Sequence, residues 1–209
     1  MKPKIIIART VFPEVVARLQ QHFDVTDNQA DVAWTKAEWT DRLREQVGAF
    51  SMGIDPVDEA VLQACPQLKI CANMSVGYNN LDVPAMTRHG VLATNAPDVL
   101  TETTADFGFA LMMAAARRVT ESEHFLRAGQ WKQWRYDLFA GAEVHGSTLG
   151  IMGMGRIGQA IARRGALGFG MPVIYHNRSR LAPEVEAACG ARYVGKDELL
   201  QQADHLVLV

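Results

Sequence analysis

A glycine-rich segment constrains the possible folds of this chain more than any other feature. Residues 149–152 form an apolar run of strand length, and a G-x-G-x-x-G turn with Gly153, Gly155 and Gly158 follows directly. In strand–turn–helix units with this glycine spacing, the glycines permit a tight turn, close approach of the backbone to a pyrophosphate, and close packing of the helix on the strand. The amides and dipole of the following helix favour a phosphate. The segment predicts dinucleotide binding, and the alternative is a purely structural glycine-rich turn.

The composition argues against several other classes of protein. The chain has 209 residues, 48% of them hydrophobic, and a formal net charge of -2. This length suits one large or two small globular domains, and the charge indicates neither a nucleic-acid nor an anionic-membrane partner. No stretch approaches the about 20 apolar residues of a membrane span. The 3 cysteines contain no C-x-x-C pair, which predicts reduced thiols and a cytoplasmic protein.

Strand and helix patterns alternate along the first half of the chain. The predicted strands are residues 4–8, 49–52, 68–72 and 91–93, and the predicted helices are 13–22, 35–47, 57–64 and 81–88. Thr35 and Glu38 form a Thr-x-x-Glu capping box at the start of the second helix. This alternation predicts an α/β fold with a largely parallel sheet. Turn residues at 95–98 mark a domain boundary, so we expect domains at 1–98 and 99–209.

The second half begins with the longest helical pattern, from Thr101 to about Arg127. We interpret it as a connector or subunit interface, with a core helix as the alternative. Its wide apolar face comprises Phe107, Leu111, Met112, Ala115 and Ala116. An aromatic loop at 129–146 follows and would fill a core, line a cleft or contact another subunit. From residue 147 the pattern is β-α-β-α-β with a helix at 156–167, and it holds about four strands where a complete dinucleotide fold has six. We therefore expect the sequence to be the first part of a longer protein.

The residue that ends the second strand of such a fold distinguishes the two nicotinamide cofactors. An acidic residue there binds the ribose 2′-hydroxyl of NAD, whereas a nearby arginine accommodates the 2′-phosphate of NADP. Here the position holds Asn177, followed by Arg178, Ser179 and Arg180. A carboxylate would repel the phosphate, whereas guanidinium and hydroxyl groups would hold it by charge-assisted hydrogen bonds. The turn predicts a preference for NADP(H) over NAD(H), and the alternative is an ordinary solvated basic turn.

A second loop, at 73–80, follows the predicted strand 68–72. Ligands bind at the carboxyl ends of parallel strands, so the amides of Val76 and Gly77 are candidates for an anion site, with a plain turn as the alternative. The 6 histidines have no metal-ligand spacing, so we expect no metal. No convincing general acid–base pair is present.

Three segments together resemble the D-isomer-specific 2-hydroxyacid dehydrogenases: 72–82, 94–101 with Ala105-Asp106, and 150–158. The turn 177–180 is similar to that of the NADPH-preferring glyoxylate/hydroxypyruvate reductase and 2-ketogluconate reductase branch. The resemblance implies a flavodoxin-like substrate domain and a Rossmann-type cofactor domain with a cleft between them. It also implies a homodimer built through the helix region 101–127.

The same resemblance implies roles for individual residues. The amides of Val76 and Gly77 would bind the substrate carboxylate, and the loop of Met52 and Gly53 would border the substrate. Thr104 would approach the nicotinamide. The cofactor-binding residues would further include Gly153, Met154, Gly155, Arg156, Ile157, Gly158, Asn177, Arg178 and Ser179.

The family's catalytic Arg, Glu and His are implied to lie beyond Val209, so we assign no catalytic residue within 1–209 and expect this stretch alone to be inactive. The expected reaction is NADPH-dependent reduction of glyoxylate, hydroxypyruvate or 2-ketogluconate to the D-2-hydroxy acid. The alternatives are a non-catalytic dinucleotide-sensing protein of the same fold and an S-adenosylmethionine-dependent methyltransferase.

Overall fold

Two parallel sheets organise the structure, a computed structural model that describes residues 1–209. Each sheet belongs to one of two units, Met1–Asp98 and Val99–Val209. None of the helices combines the length and the apolar character that a membrane crossing demands.

The first unit has five parallel strands in the order β2-β1-β3-β4-β5, which is the flavodoxin-like arrangement. Its elements are β1 (Lys4–Ile7), α1 (Pro13–Gln20), β2 (Asp24–Thr26), α2 (Lys36–Leu43), β3 (Gly48–Ser51), α3 (Glu59–Ala64), β4 (Ile70–Asn73), α4 (Val83–Arg88) and β5 (Leu92–Thr94). The predicted α/β class is confirmed. The sequence pattern missed β2, because this edge strand has only three residues and none of them is fully buried.

Local signals define the helices of the first unit well. The predicted capping box at Thr35 and Glu38 is confirmed: the Thr35 side chain accepts from the Glu38 amide, and the Glu38 side chain accepts from the Thr35 amide. The helix that follows ends at Leu43 rather than at the predicted residue 47. Trp39 on this helix is buried and donates its indole N–H to the carbonyl of Pro56 at 3.0 Å. The capped helix thereby anchors one face of the sheet.

The second unit has four parallel strands in the order β8-β7-β6-β9, which matches the first four strands of the Rossmann arrangement. Its elements are α5 (Thr101–Ala116), α6 (Val119–Arg127), β6 (Leu149–Met152), α7 (Arg156–Arg163), β7 (Val173–His176), α8 (Pro183–Cys189), β8 (Ala191–Tyr193), α9 (Lys196–Gln202) and β9 (His205–Leu208). Four strands are the number predicted. The aromatic segment 129–146 contains no helix or strand, also as predicted.

The predicted single helix from Thr101 to Arg127 is wrong. The chain leaves helical geometry at Arg117 and Arg118, and Arg118 adopts a left-handed conformation with φ of 53°. The carbonyl of Ala116 accepts a hydrogen bond from the amide of Ala142 at 2.9 Å, and the guanidinium of Arg118 lies 5.2 Å from the ring centre of Phe139. The returning aromatic loop therefore ends α5, and the local helical pattern does not override this contact.

The apolar residues of α5 point in two directions instead of forming one wide face. Ala105, Phe109 and Met112 are buried in the core of the second unit, at the spacing expected for one side of a helix. Phe107 and Leu111 lie on the other side and are 64% and 54% exposed. The helix thus has a core face and a separate exposed apolar face.

The helix predicted at 156–167 is also modified. Regular α-helix ends at Arg163, and a π-helical turn covers Arg164–Gly168. A Cβ on Gly165 would lie 2.6 Å from Leu149 Cδ2, so the turn packs tightly on the first strand of its sheet. The guanidinium of Arg164 bonds Glu102 and Asp106 of α5. These contacts fix α7 against α5.

Candidate functional site

The three motif glycines differ in what surrounds them. Gly153 has φ of +105°, and a Cβ there would lie 1.9 Å from the carbonyl oxygen of Val209. A Cβ on Gly158 would lie 2.3 Å from the carbonyl oxygen of Gly153, so this glycine lets α7 pack closely on the turn. A Cβ on Gly155 would meet nothing within 4 Å. These surroundings match the turn, packing and ligand-approach roles of a dinucleotide-binding motif.

An open groove of about 610 Å³ lies over this turn. Gly155 is the N-cap of α7, and no side chain caps the helix, so its N-terminal amides can receive an external anion. The residues that line the groove are Met152, Gly153, Gly155, His176, Asn177, Arg178, Ser179, Leu208 and Val209. The glycine-rich turn and the turn after β7 therefore share one surface, which includes the uncapped start of α7.

Asn177 joins these two turns directly. Its Oδ1 accepts a hydrogen bond from the amide of Met154 at 2.6 Å, and Met154 itself is buried. The Nδ1 of the neighbouring His176 lies 3.0 Å from the carbonyl of Val194, and its ring stacks on Tyr193. These contacts hold the position predicted to distinguish the two cofactors beside the glycine-rich turn.

The two arginines of this turn have different environments. Arg180 makes two hydrogen bonds to the carboxylate of Glu186, which also accepts from the hydroxyl of Tyr175 at 2.8 Å. The hydrogen bonds from Arg180 and then from Tyr175 lower the pKa of Glu186 to about 2, so this carboxylate is ionised at neutral pH. Arg178 and Ser179 are exposed and make no hydrogen bond or ion pair within the chain. Arg178, and not Arg180, is therefore the guanidinium available to a ligand.

The remaining residues expected to bind the cofactor lie around this groove but do not line it. Arg156 and Ile157 occupy the first turn of α7, where Arg156 is exposed and Ile157 packs partly against the core. Thr104 lies in the first turn of α5, half-buried, with its amide bonded to the carbonyl of Leu100. The structure therefore brings the two turns together, whereas Thr104 lies on a separate element, α5.

The loop after β4 presents two amides. The carbonyls of Val76 and Gly77 accept from the side chains of Asn95 and Asn73 at 2.9 and 3.0 Å. The amides of Val76 and Gly77 donate to no acceptor within the chain, and Gly77 is exposed. Since their carbonyls are held by asparagines, these amides form a fixed pair of donors suited to a carboxylate.

The Met52 and Gly53 loop lies beside this amide pair, at the end of β3. The amide of Gly53 donates to the hydroxyl of Ser75 at 2.9 Å, and the Nδ2 of Asn80 donates to the carbonyls of Met52 and Asp55. These hydrogen bonds connect the two loops predicted to contact the substrate.

Sequence reasoning missed several residues of both surfaces. Met152, His176 and Leu208 line the groove because they end neighbouring strands of the second sheet. These residues could have been predicted from the expected strand order, because ligands bind where that order reverses, here between β6 and β9. Asp55 and Asn80 had no such signal, because their roles depend on hydrogen bonds between loops distant in the sequence.

The chain is similar to known proteins over all of its length. Residues 109–209 match the family described as D-isomer specific 2-hydroxyacid dehydrogenase, NAD binding domain. The glyoxylate reductase of Thermococcus onnurineus is 43% identical over 213 residues, which cover 100% of this chain and 63% of that protein. The chain therefore spans about 63% of the length of the curated relatives it matches.

Solved structures give the same result. A protein from Thermus thermophilus superimposes with a TM-score of 0.85 at 36% identity, covering 99% of this chain and 64% of that one. A glyoxylate reductase from Paecilomyes thermophila superimposes with a TM-score of 0.78 at 29% identity, covering 97% and 63%. The predicted resemblance is confirmed, as is the combination of flavodoxin-like and Rossmann-type sheets.

Proposed function

Because the chain belongs to the D-isomer-specific 2-hydroxyacid dehydrogenase family, we propose that the protein reduces a small 2-oxo acid to the D-2-hydroxy acid with NADPH. The groove over Gly155, bordered by Asn177 and Arg178, is the observation that carries the proposal. The relatives named glyoxylate reductase support glyoxylate as one substrate. Hydroxypyruvate and 2-ketogluconate are the others we propose.

Different residues of the chain would bind different parts of the cofactor. The backbone of Gly153–Gly158 would hold the pyrophosphate, including Met154, Arg156 and Ile157. Arg178 and Ser179 would hold the 2′-phosphate, and Asn177 presents no negative charge to repel it. Thr104 would lie near the nicotinamide. NADPH, when bound, supplies the hydride that reduces the carbonyl carbon.

The loops of the first unit would bind and orient the 2-oxo acid. The amides of Val76 and Gly77 donate to no acceptor within the chain, so they would receive the substrate carboxylate. Met52 and Gly53 would border its 2-oxo group. We assign no residue of 1–209 as the proton donor, so the proposal for this chain concerns binding and orientation.

Turnover by the full-length protein tests the proposed reaction. We expect NADPH oxidation in the presence of glyoxylate or hydroxypyruvate, with formation of the D-enantiomer of a chiral product. The kcat/KM for NADPH should exceed that for NADH about tenfold or more, the equivalent of one charge-assisted hydrogen bond to the 2′-phosphate. Binding of NADPH without turnover of any 2-oxo acid would instead identify a dinucleotide-sensing protein. A failure to bind NADPH would contradict the proposal.

We also propose that the protein is a homodimer in the cytoplasm, assembled through the exposed apolar surface of α5, α6 and the aromatic loop. A groove of about 630 Å³ in this region is lined by residues including Leu126, Trp131 and Trp134, all of them more than half exposed. Exposed apolar surfaces rich in aromatic residues are typical of interfaces between proteins. The three cysteines are buried and unpaired, which supports a reducing compartment.

Replacing Leu126 with glutamate should convert the dimer to a monomer in sedimentation velocity, because the charge would be buried at the interface. The matched control is Leu200→Glu on α9, where the leucine is 51% exposed, compared with 60% for Leu126. A Leu126→Glu protein that remains dimeric, or a wild type that is monomeric, would reject this interface.

A further inference from the structure

A buried ion pair lies at the carboxyl end of the first sheet, where the proposed function uses no charged residue. Arg9 follows β1 and Asp55 follows β3, and these two strands are neighbours in the order β2-β1-β3. After β1 the next strand, β2, is added toward one edge of the sheet, and after β3 the next strand, β4, is added toward the other edge. In open α/β sheets such a reversal of strand order is where ligands bind.

The pair is connected to the backbone of the loop that follows β3. The Nη2 of Arg9 contacts Oδ1 of Asp55 at 2.9 Å, and the two side chains are 11% and 4% exposed. The second carboxylate oxygen of Asp55 accepts a hydrogen bond from the amide of Met52 at 2.9 Å. Asp55 also donates its own amide to the carbonyl of Met52 at 3.0 Å. Arg9 therefore determines where the carboxylate that holds Met52 can lie.

The connection extends to the loop that carries the amide pair. Asn80 donates to the carbonyls of Met52 and Asp55, and Ser75 accepts from the amide of Gly53. A displacement of Asp55 would thus be transmitted to both loops of the first unit.

Stability alone does not explain an arginine at this position. A buried ion pair contributes little net stability compared with apolar side chains of similar volume. The Nε of Arg9 is buried and has no acceptor, and an unsatisfied buried donor costs about 1–3 kcal/mol. Residues that break a packing rule in this way are typical of functional sites.

We propose that Arg9 is a positioning residue for the 2-oxo acid, because its ion pair with Asp55 holds the Met52 and Gly53 loop in the conformation that borders the substrate. The inference about the substrate rests on the proposed function, whereas the inference about the loop does not. In this proposal Arg9 acts through Asp55 and not by contact with the substrate.

Hydrogen exchange and steady-state kinetics of Arg9→Met in the full-length protein test the two parts separately. We expect faster amide exchange in residues 50–56 and a rise of about tenfold in the KM for glyoxylate, since misplaced binding groups lower affinity. The KM for NADPH should not change, because the residues proposed to bind it belong to the second unit. Arg9→Lys retains the charge and should restore most of the affinity for glyoxylate.

Lys4→Met provides the matched control. Lys4 lies at the opposite end of the same strand, in an exposed ion pair with Glu45 at 2.8 Å, and its loss should change neither measurement. If Arg9→Met does not fold, the double variant Arg9→Met with Asp55→Asn removes both buried charges and should show the same exchange and KM.

Unchanged exchange in 50–56 would overturn the positioning role, whether or not the protein reduces 2-oxo acids. Faster exchange with an unchanged KM for glyoxylate in an active enzyme would reject the substrate part alone. Equal rises in the KM values for glyoxylate and NADPH would indicate general destabilisation and would also overturn the proposal. An inactive wild type whose Arg9→Met variant shows faster exchange would reject the proposed function and retain the loop role.

Discussion

Replacing Gly155 with valine is expected to abolish NADPH binding while the protein stays folded. A Cβ at this position meets no atom of the chain within 4 Å, so the valine side chain enters the open groove. It would occupy the space where the pyrophosphate approaches the backbone. We expect the dissociation constant for NADPH to rise about 100-fold or more, the equivalent of two lost charge-assisted hydrogen bonds. Fluorescence titration with NADPH measures this change.

Gly195→Val is the control for this experiment. Gly195 is the N-cap of α9, has an extended backbone like Gly155, and would also place an added Cβ more than 4 Å from any neighbouring atom. Valine is a poorer N-cap than glycine, so both variants should lose up to about 1 kcal/mol of stability. Only Gly155→Val should lose NADPH binding. Equal binding by the two variants would mean that the groove is not the dinucleotide site.

Replacing Asn177 with aspartate is expected to reverse the proposed preference for NADPH over NADH. The side chain would keep its acceptor for the amide of Met154, so the turn would retain its structure. The new carboxylate would repel the 2′-phosphate by about 2 kcal/mol and raise the KM for NADPH about 30-fold. It would also accept a hydrogen bond from the ribose 2′-hydroxyl, which lowers the KM for NADH.

Both cofactors are measured on the same Asn177→Asp protein, so a general loss of activity cancels in the ratio of kcat/KM values. Gln201→Glu is the control for net charge, because Gln201 is exposed on α9 and does not line the groove. A preference for NADPH that persists in Asn177→Asp would show that this turn does not recognise the 2′-phosphate.

The glycine-rich turn was predictable because its requirements are local. A positive φ at Gly153 and the packing of Gly158 on the same turn involve residues within one short segment. The parallel sheets were equally predictable from the sequence, because alternating strand and helix patterns are compatible with only a few chain topologies. In the candidate site, these local rules identified the glycines and the position of Asn177.

The remaining features depend on contacts between distant segments. The hydrogen bond between Asn177 and Met154 joins residues 23 positions apart, and the pair of Arg9 with Asp55 joins residues 46 positions apart. The helical and strand periodicity of the sequence does not predict contacts between such distant residues. The resemblance already implied a role for Arg178, but only the structure shows that Arg180 is bound to Glu186 and that Arg178 is not.

The break between α5 and α6 has a consequence for the order in which the chain folds. The carbonyl of Ala116 is satisfied by the amide of Ala142, which leaves the ribosome later. Until residues 139–142 emerge, the helical pattern favours one continuous helix through Arg118. We therefore expect the left-handed turn at Arg118 to form only after Ala142 is available to donate this hydrogen bond. On this expectation, the apolar surface of α6 reaches its final direction only after the aromatic loop has docked.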